Sequence, residues 1–252
     1  MQRTTMQLTK YNASGNDFVI FHTFLKKPRH ELAKRLCHRQ HGVGADGLIV
    51  LLPHNGYDFE WQFYNNDGSD AEMCGNGSRA AAHYAYKNGL AGKEMKFLTT
   101  AGIIEANVHG DDAEVKLTEP KILDTLFVAE GLRWGLYDTG VPHLVTFVDD
   151  LNVYNKDLAR TMRETYNANV NFVRIDPESK ELHVRTYERG VEDETLACGT
   201  GMAACFFAAN LNGDVPDMTK VYPTSKEELI LSIKEGFIYF KGGVEKVFET
   251  SI

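Results

Sequence analysis

Short runs of apolar residues separated by polar turns alternate along the first half of the chain. Runs of this length that are rich in Val, Ile, Phe and Tyr predict β-strands. The predicted strands are Gln7–Tyr11, Phe18–His22, Leu48–Leu52 and Phe59–Tyr64. Between the second and third of them, Leu32 and Leu36 lie one helical turn apart, which predicts a helix over His30–His38.

The second half of the chain repeats this alternation. Strands are predicted near Tyr137 and over His143–Val148, Asn169–Ile175 and Leu182–Tyr187. Leu158 and Met162 lie four residues apart and predict a helix over Asp157–Tyr166.

Two further predicted helices differ in kind, because apolar and small residues cover nearly all of their circumference. These segments are Arg79–Tyr86 and Met202–Leu211, and each is followed by a glycine, at Gly89 and Gly213. A helix that is apolar all round is expected to be buried on every side, and a glycine just after the last turn is a common helix end.

A duplication connects the two halves. Met73–Gly77 reads MCGNG and Ala197–Gly201 reads ACGTG, with Cys74 and Cys198 lying 124 positions apart. At the same offset, residues 97–117 and 221–241 each read as a pair of strands around a polar turn. A repeat this long indicates two lobes and not a solenoid.

We therefore predict an α/β (α+β) fold of two pseudosymmetric lobes, each a curled, mostly antiparallel sheet around a central helix. The first lobe is expected over residues 1–119, with Cys74, and is completed by the last residues, about 245–252. The second is expected over 120–244, with Cys198.

Composition indicates a soluble enzyme of a reducing compartment. The net charge is −8 with no basic stripe, which argues against nucleic acid as a partner. None of the four cysteines forms a CxxC pair, which argues against a disulfide scaffold. Met1–Lys10 has no apolar core and the apolar runs are too short to span a bilayer, so we expect a cytoplasmic protein without a membrane partner.

Cys74 and Cys198 each end an extended stretch and open a helix-competent one, which predicts a sulfur at a helix N-terminus. The helix dipole there favours the thiolate. One such cysteine would suggest a nucleophile. Two of them, in equivalent places of a duplication, predict two proton-transfer groups that face one another across a substrate bound between the halves.

Six motifs, in order along essentially the whole chain, resemble those of bacterial diaminopimelate epimerases. They are YNASGNDFVIF (Tyr11–Phe21), YNNDGS (Tyr64–Ser69), MCGNGSRA (Met73–Ala80), GVPH (Gly140–His143), YERGVEDET (Tyr187–Thr195) and ACGTG (Ala197–Gly201). The combination of CGNG with ERG and CGTG separates the chain from the related proline racemases and phenazine-type isomerases.

The resemblance implies an isomerase that interconverts LL- and meso-2,6-diaminopimelate, in lysine and peptidoglycan-precursor biosynthesis, with no metal and no pyridoxal cofactor. It implies a small amino-acid substrate and a homodimer, although Phe248 stands where members often have an interface tyrosine. Two further positions depart from the pattern. Gly47 replaces a glutamine found in some members, and Val141 replaces an asparagine that contacts the distal polar group in many.

The resemblance also implies roles for individual residues. Cys74 and Cys198 would act as base and acid, and Glu188 would receive the α-amino group and tune the thiols together with His143. Backbone N–H groups would bind the substrate α-carboxylate, from Gly75, Asn76, Gly199 and Thr200. Side chains would hold the distal end of the substrate, from Arg189, Asn65 and Asn171. Asn16 would complete the polar lining.

Other interpretations compete with these roles. Glu188 and Arg189 could be the solvated charges of a turn, Asn65 a turn residue, and His143 a strand-end histidine. Val141 leaves open a related amino-acid racemase of broader range, acting for example on glutamate. A catalytically silent amino-acid-binding or regulatory protein is disfavoured, because both cysteines and the Glu188–Arg189 pair are intact.

Two motifs are expected to carry no function. The GxGxxG string of Gly42–Gly47 follows a helix and precedes a strand, the reverse of the dinucleotide-binding order, so we predict a turn. Cys37, His38 and His41 lack a second ligand pair for structural zinc. Cys37 and Cys205 are predicted to be buried core residues.

Overall fold

The computed structural model describes residues 5–252, so the first four residues of the Met1–Lys10 segment and of the predicted first lobe lie outside the described range. The chain divides into two compact units. One comprises the residues up to Val115 together with Gly242–Ile252, and the other comprises Lys116–Lys241. No helix within the described range is both long and apolar enough to cross a membrane.

The first unit begins with seven strands and two helices. In chain order they are β1 (Gln7–Ala13), β2 (Asn16–His22), α1 (His30–Cys37), β3 (Gly47–Leu52), β4 (Phe59–Asn65), α2 (Gly75–Lys87), β5 (Glu94–Thr99), β6 (Gly102–His109) and β7 (Asp112–Lys116).

The second unit continues with nine strands, two α-helices and a short 3₁₀ turn at Leu151–Val153. In chain order they are β8 (Lys121–Ala129), β9 (Leu132–Asp138), β10 (Pro142–Phe147), α3 (Lys156–Tyr166), β11 (Asn169–Ile175), β12 (Leu182–Glu188), β13 (Asp193–Thr195), α4 (Gly199–Leu211), β14 (Met218–Tyr222), β15 (Leu229–Lys234) and β16 (Phe237–Gly243). The chain then returns to the first unit as β17 (Glu245–Ser251).

The two units have the same strand order. In the first, the neighbours run β17-β1-β2-β3-β4-β5-β6-β7, with parallel pairs only at β2/β3 and β4/β5. In the second, they run β8-β9-β10-β11-β12-β14-β15-β16, with parallel pairs at β10/β11 and β12/β14. The position that β8 takes in the second unit is therefore taken in the first by the distant C-terminal strand β17.

Each unit buries one helix among its own strands. Helix α2 packs against β1, β2, β3 and β6, and α4 packs against β9, β10, β11 and β12. Ala80, Ala81, Ala203 and Ala204 are fully buried, because small side chains let the strands approach both helices closely. The predicted α/β fold is confirmed, with a mostly antiparallel sheet and a buried helix in each unit.

The predicted strand and helix positions agree with the structure to within a few residues, with one systematic difference. The buried helices begin at Gly75 and Gly199, four and three residues before the predicted starts at Arg79 and Met202. The glycine-rich first turns are poor helix formers. They are nevertheless helical because each is buried in its unit, and burial outweighs propensity.

Candidate active site

Cys74 is the N-cap residue of helix α2, with an extended backbone (φ −149°, ψ 121°). The backbone N–H of Gly77 donates to Cys74 Sγ at 3.4 Å, so the sulfur occupies the place of a capping side chain. The first hydrogen bond of the helix runs from Ser78 N to Cys74 O at 2.7 Å. The sulfur therefore lies at the positive end of the helix dipole, as the sequence predicted.

Asn16, the first residue of β2, lies beside this sulfur. Cys74 Sγ donates to Asn16 Oδ1 at 3.4 Å, and Asn16 Nδ2 donates to Asp46 Oδ2 at 2.7 Å. Arg39 in turn holds the other oxygen of Asp46, with Nη2 to Oδ1 at 2.7 Å. The Asp46 carboxylate therefore holds the NH₂ group of Asn16, and the amide carbonyl oxygen of Asn16 faces the Cys74 thiol.

Gly75 and Asn76 form the first turn of α2, where backbone N–H groups have no acceptor within the helix. The Asn76 side chain is buried, and its Oδ1 accepts from Arg79 Nη2 at 2.8 Å. Arg79 is itself fully buried and also donates to Ser14 Oγ at 2.7 Å. The Asn76 side chain is therefore part of the packing of the unit, and a role of its backbone N–H in substrate binding remains a prediction.

Cys198 takes the same place in the second unit, as N-cap of α4 with φ −118° and ψ 107°. Met202 N donates to Cys198 O at 2.9 Å, which starts the helix. Unlike Cys74, its sulfur accepts no capping N–H, and it lies 3.6 Å from Thr200 Oγ1. The backbone oxygen of Thr200 accepts from Thr139 Oγ1 at 2.8 Å, which ties this turn to the loop before β10.

His143 reaches this site from β10. Its Nε2 lies 2.9 Å from Thr200 Oγ1, and Thr200 Oγ1 in turn lies 3.6 Å from the Cys198 sulfur. The Thr200 hydroxyl therefore connects the imidazole to the thiol. Complete burial, and secondarily the positive charge of Arg189, lower the pKa of His143 to about 3. The imidazole is therefore neutral at physiological pH, and it can donate or accept a hydrogen bond but carries no charge.

Asn171 is fully buried on β11 next to His143. Its Nδ2 donates to Leu144 O at 2.8 Å and lies 3.1 Å from His143 Nδ1, and its Oδ1 accepts from Thr186 Oγ1 at 2.8 Å. Both N–H bonds of the amide are used inside the protein. This placement does not support the expected contact between Asn171 and the distal end of the substrate.

Glu188 and Arg189 follow one another at the end of β12, and both are half-buried. The backbone N–H of Arg189 donates to Asn169 Oδ1 at 2.8 Å, and its guanidinium donates to Asn167 O at 2.9 Å. Asn169 also donates to Pro142 O at 3.2 Å. Asn169 belongs to none of the sequence motifs, although it lies two residues from Asn171 and, by the strand period of two, on the same face.

Asn65 ends β4 and is exposed. Its Nδ2 donates to Ser69 Oγ at 2.9 Å across the turn that contains Asp67 and Gly68. Asn65 is therefore part of a tight turn, and a role for it in substrate binding remains a prediction.

The other two cysteines are core residues, as predicted. Burial raises the pKa of Cys37 to about 12 and raises that of Cys205 well above its ordinary range, so neither thiol ionises readily. The Gly42–Gly47 string is an irregular connection between α1 and β3 that leads into the strand, which confirms the predicted turn. His38 Nδ1 accepts the backbone N–H groups of Gln40 and His41 within that connection.

Two solved structures share the fold at low identity. A phenazine biosynthesis protein of the PhzF family from Bacillus anthracis has a TM-score of 0.75 at 16% identity, covering 99% of each chain. A hydroxyproline epimerase from Agrobacterium vitis has a TM-score of 0.73 at 16% identity, covering 100% of this chain and 93% of its own. At this identity the likeness concerns the fold alone.

Closer relatives share one description. The diaminopimelate epimerase of Nitratiruptor sp. is 64% identical over 97% of this chain and 98% of its own length. That of Campylobacter jejuni subsp. doylei is 54% identical over 98% of both chains. The sequence profile described as diaminopimelate epimerase matches residues 8–123 and 135–247, one segment for each repeat. With both cysteines at the N-caps of equivalent helices, this chain belongs to the diaminopimelate epimerase family, and it is an isomerase that interconverts stereoisomers of diaminopimelate in lysine biosynthesis.

Proposed function

We propose that the protein interconverts LL- and meso-2,6-diaminopimelate by proton transfer between Cα and two thiols, those of Cys74 and Cys198, without a cofactor. One observation carries this proposal. The two cysteines are N-cap residues of the two buried helices, at the same position of a duplicated unit, while Cys37 and Cys205 are inert core residues. A structural role would not require a cysteine at both helix starts.

The chemistry of inversion requires two groups. A thiolate removes the proton from one face of Cα and becomes a thiol, and the second thiol delivers its proton to the opposite face and becomes a thiolate. The reverse reaction exchanges the two roles. Each sulfur must therefore be stable in both protonation states, which a helix N-terminus combined with a hydrogen-bonding side chain can provide.

The intermediate carbanion also needs stabilisation. We infer that the first-turn N–H groups of the two helices bind the substrate α-carboxylate, through Gly75 and Asn76 in one unit and Gly199 and Thr200 in the other. This inference is supported by the helix starts, which leave these donors without acceptors in the helix. Donors aimed at a carboxylate stabilise the additional negative charge that develops when Cα loses its proton.

The remaining roles are those that the family resemblance implies. Glu188 is proposed to receive the α-amino group, and Arg189 and Asn65 to hold the distal amino-acid centre. Asn16 is proposed to line the site beside Cys74, which its 3.4 Å contact supports. We further propose a cytoplasmic enzyme that acts as a homodimer and also supplies peptidoglycan precursors, with no nucleic-acid or membrane partner.

The decisive experiment incubates the protein with pure LL-diaminopimelate in deuterium oxide and follows both stereochemistry and α-deuterium content. We expect one deuterium to enter each inverted centre, because the proton delivered comes from a thiol that exchanges with solvent. Cys74→Ala and Cys198→Ala are each expected to lower epimerisation by at least about 10²–10⁴-fold, the contribution of a general acid or base.

Cys205→Ala is the matched control, because it removes a thiol from the same helix as Cys198 but from the core. It is expected to retain epimerisation, with unfolding followed to register any loss of packing. Inversion without deuterium uptake, or near-normal turnover by either active-site variant, would reject the two-thiol scheme.

A further inference from the structure

Three buried side chains, His143, Asn171 and Thr186, form a polar cluster next to Cys198 together with the half-buried side chain of Thr200. Hydrogen bonds connect them in series, from Thr186 Oγ1 to Asn171 Oδ1 (2.8 Å), from Asn171 Nδ2 to His143 Nδ1 (3.1 Å) and from His143 Nε2 to Thr200 Oγ1 (2.9 Å). The series ends at Cys198 Sγ, 3.6 Å from the Thr200 hydroxyl.

The duplication shows what the fold itself requires at these positions. Phe18 pairs with Gly47 across β2 and β3, as His143 pairs with Asn169 across β10 and β11, so Phe18 is the counterpart of His143. Continuing two residues along β3 and β11 makes Ile49 the counterpart of Asn171.

The third counterpart follows from the next strand pair. Ile49 pairs with Phe63 across β3 and β4, as Asn171 pairs with Thr186 across β11 and β12. Phe63 is therefore the counterpart of Thr186. The first unit packs three apolar side chains where the second unit buries three polar ones.

The glycines of the two helices support the same correspondence. A Cβ added at Gly77 would lie 3.3 Å from Ile49 Cδ1 and 3.4 Å from Phe18 Cε1. At the equivalent Gly201, an added Cβ would overlap Asn171 Oδ1 and lie 3.2 Å from Thr186 Oγ1. Because buried polar groups stabilise a core less readily than apolar packing does, the polar version in the second unit calls for a functional reason.

The cluster has a defined direction. Leu144 O can only accept a hydrogen bond, so the amide group that lies 2.8 Å from it must be the NH₂ of Asn171. That same nitrogen faces His143 Nδ1, which must then be the acceptor. The neutral imidazole therefore carries its proton on Nε2 and donates it to Thr200 Oγ1.

This direction decides what Thr200 offers to the sulfur. Since Thr200 Oγ1 accepts from His143, its own hydroxyl proton is not used by the imidazole and can be donated to Cys198 Sγ. With the other tautomer, Thr200 would donate to Nε2, and only a protonated Cys198 could bond to the hydroxyl oxygen. The tautomer of His143 therefore selects between thiolate and thiol at Cys198.

We propose that Asn171 is a positioning residue which holds His143 as the Nε2–H tautomer, so that the Thr200 hydroxyl donates to Cys198 and favours its thiolate. The inference rests on the proposed function, since it assigns a protonation state to one of the two thiols. It replaces the direct substrate contact expected for Asn171.

Arg189 and Cys205 are titratable groups that interact with this cluster. The field of Arg189 reaches His143, where it adds to the effect of burial in keeping the imidazole neutral. Cys205, on the same helix as Cys198, interacts electrostatically with the sulfur, and its own burial keeps it protonated. Neither group provides the donor that the Thr200 hydroxyl does.

The test measures the ionisation of the Cys198 thiol. In a Cys74→Ser background, the rate of Cys198 alkylation by iodoacetamide is measured against pH, and the midpoint reports thiolate formation. Asn171→Asp replaces the donor by a carboxylate, which would accept from His143 Nδ1 and reverse the tautomer. We expect the midpoint to rise by about one to two pH units, the effect of losing one hydrogen bond to a charged group.

Two further measurements keep the test decisive if Asn171→Asp does not fold. Thr200→Val removes the hydroxyl but retains the backbone N–H, and it is expected to raise the midpoint by a similar amount. Nitrogen-15 chemical shifts of His143 in the unmodified protein are expected to show an unprotonated Nδ1 and a protonated Nε2.

Thr186→Val is the matched control. It removes a polar partner of Asn171 from the same buried cluster, but Leu144 O still fixes the amide, so stability is expected to fall while the midpoint stays unchanged. A protonated Nδ1 in the unmodified protein, or an unchanged midpoint in Thr200→Val, overturns the proposal. If instead Cys198→Ala still epimerises while the midpoints shift as expected, the proposed function fails and the assignment of Asn171 stands.

Discussion

Asn16 presents its side-chain carbonyl oxygen to the Cys74 thiol at 3.4 Å, and Asp46 determines this orientation by accepting the Asn16 NH₂ at 2.7 Å. A carbonyl oxygen can bond to a thiol but not to a thiolate, so the contact favours protonated Cys74. In the second unit we propose the opposite preference for Cys198, through the Thr200 hydroxyl. The printed side-chain partners of the two equivalent sulfurs, Asn16 and Thr200, are therefore not shared by the duplication.

Asp46→Asn tests the role of Asp46. The new amide can face Asn16 with its own NH₂, which lets Asn16 rotate and donate an N–H to the Cys74 sulfur. We expect the alkylation midpoint of Cys74, measured in a Cys198→Ser background, to fall by about one pH unit, the value of one hydrogen bond to a charged acceptor.

Asp17→Asn is the control for charge. Asp17 belongs to the same ionic cluster, where its carboxylate bonds to Arg39 and Lys10 and accepts the backbone N–H of Asp46. Its replacement removes the same charge without releasing the Asn16 amide, so the Cys74 midpoint should move less. Equal shifts in the two variants would attribute the effect to charge and not to the orientation of Asn16.

Because the His143 imidazole is buried and neutral, we expect the stability of the protein to depend on pH. The unfolded chain protonates this imidazole near 6.5, whereas burial lowers the pKa in the folded protein to about 3. Between these values the unfolded state binds one more proton, so the free energy of unfolding falls as the pH falls through this window. From about pH 7 to about pH 4.5 the expected loss is about 2–3 kcal/mol.

Denaturant unfolding at these two pH values provides the measurement. His143→Gln lacks the titrating group, so its loss of stability over the window should be smaller than that of the unmodified protein by about 2–3 kcal/mol. His41→Gln, at an exposed position, is the control and should behave like the unmodified protein. Burial opposes ionisation of Asp17, but Arg39 and Lys10 lower its pKa to about 2, so its contribution is lost only below 3.8 and outside the window. Identical losses in His143→Gln and the unmodified protein would show that His143 is protonated in the folded state.

The sequence was sufficient for the fold because the duplication provides two copies of one pattern. The helix starts at Gly75 and Gly199, and the starts of the next strands at Glu94 and Met218, keep the offset of 124 residues between Cys74 and Cys198. The strand Asn169–Ile175 was predicted at its observed bounds, since no more than one polar residue separates its apolar residues and polar segments flank it. β8 was not predicted, because most of its residues are exposed and give no buried pattern.

The polar cluster next to Cys198 could not be predicted from the sequence. His143, Asn171 and Thr186 are separated by 28 and 15 residues, and only the registers of β10, β11 and β12 bring them together. A shift of one residue would turn each side chain to the other face of the sheet. Asn169 and Asn171 lie two residues apart and therefore share a face of β11, so the strand pattern could not show which of them lies beside His143.

Val141 is a further position where the second unit departs from the first. It lies two residues before His143, as Asn16 lies two residues before Phe18, and each follows a glycine with positive φ, 118° at Gly140 and 79° at Gly15. A Cβ added at Gly140 would lie 3.6 Å from Thr200 Cγ2, so this loop borders the Cys198 site. Where the first unit offers an amide, the second offers an isopropyl group.

Val141→Asn is therefore expected to tighten substrate selectivity. Valine can neither donate to nor accept from a polar group of the substrate, so such a group at this position loses a partner or retains a water molecule. One hydrogen bond at about 0.5–1.5 kcal/mol corresponds to about tenfold in the ratio of kcat/KM values.

We expect the unmodified protein to exchange the α-proton of glutamate detectably while diaminopimelate remains the better substrate, and Val141→Asn to raise the preference for diaminopimelate about tenfold. Val141→Leu is the control for side-chain volume, because it adds no polar group and should leave the preference low. Absence of exchange with glutamate in the unmodified protein, together with unchanged diaminopimelate kinetics in Val141→Asn, would mean that this side chain does not contact the substrate.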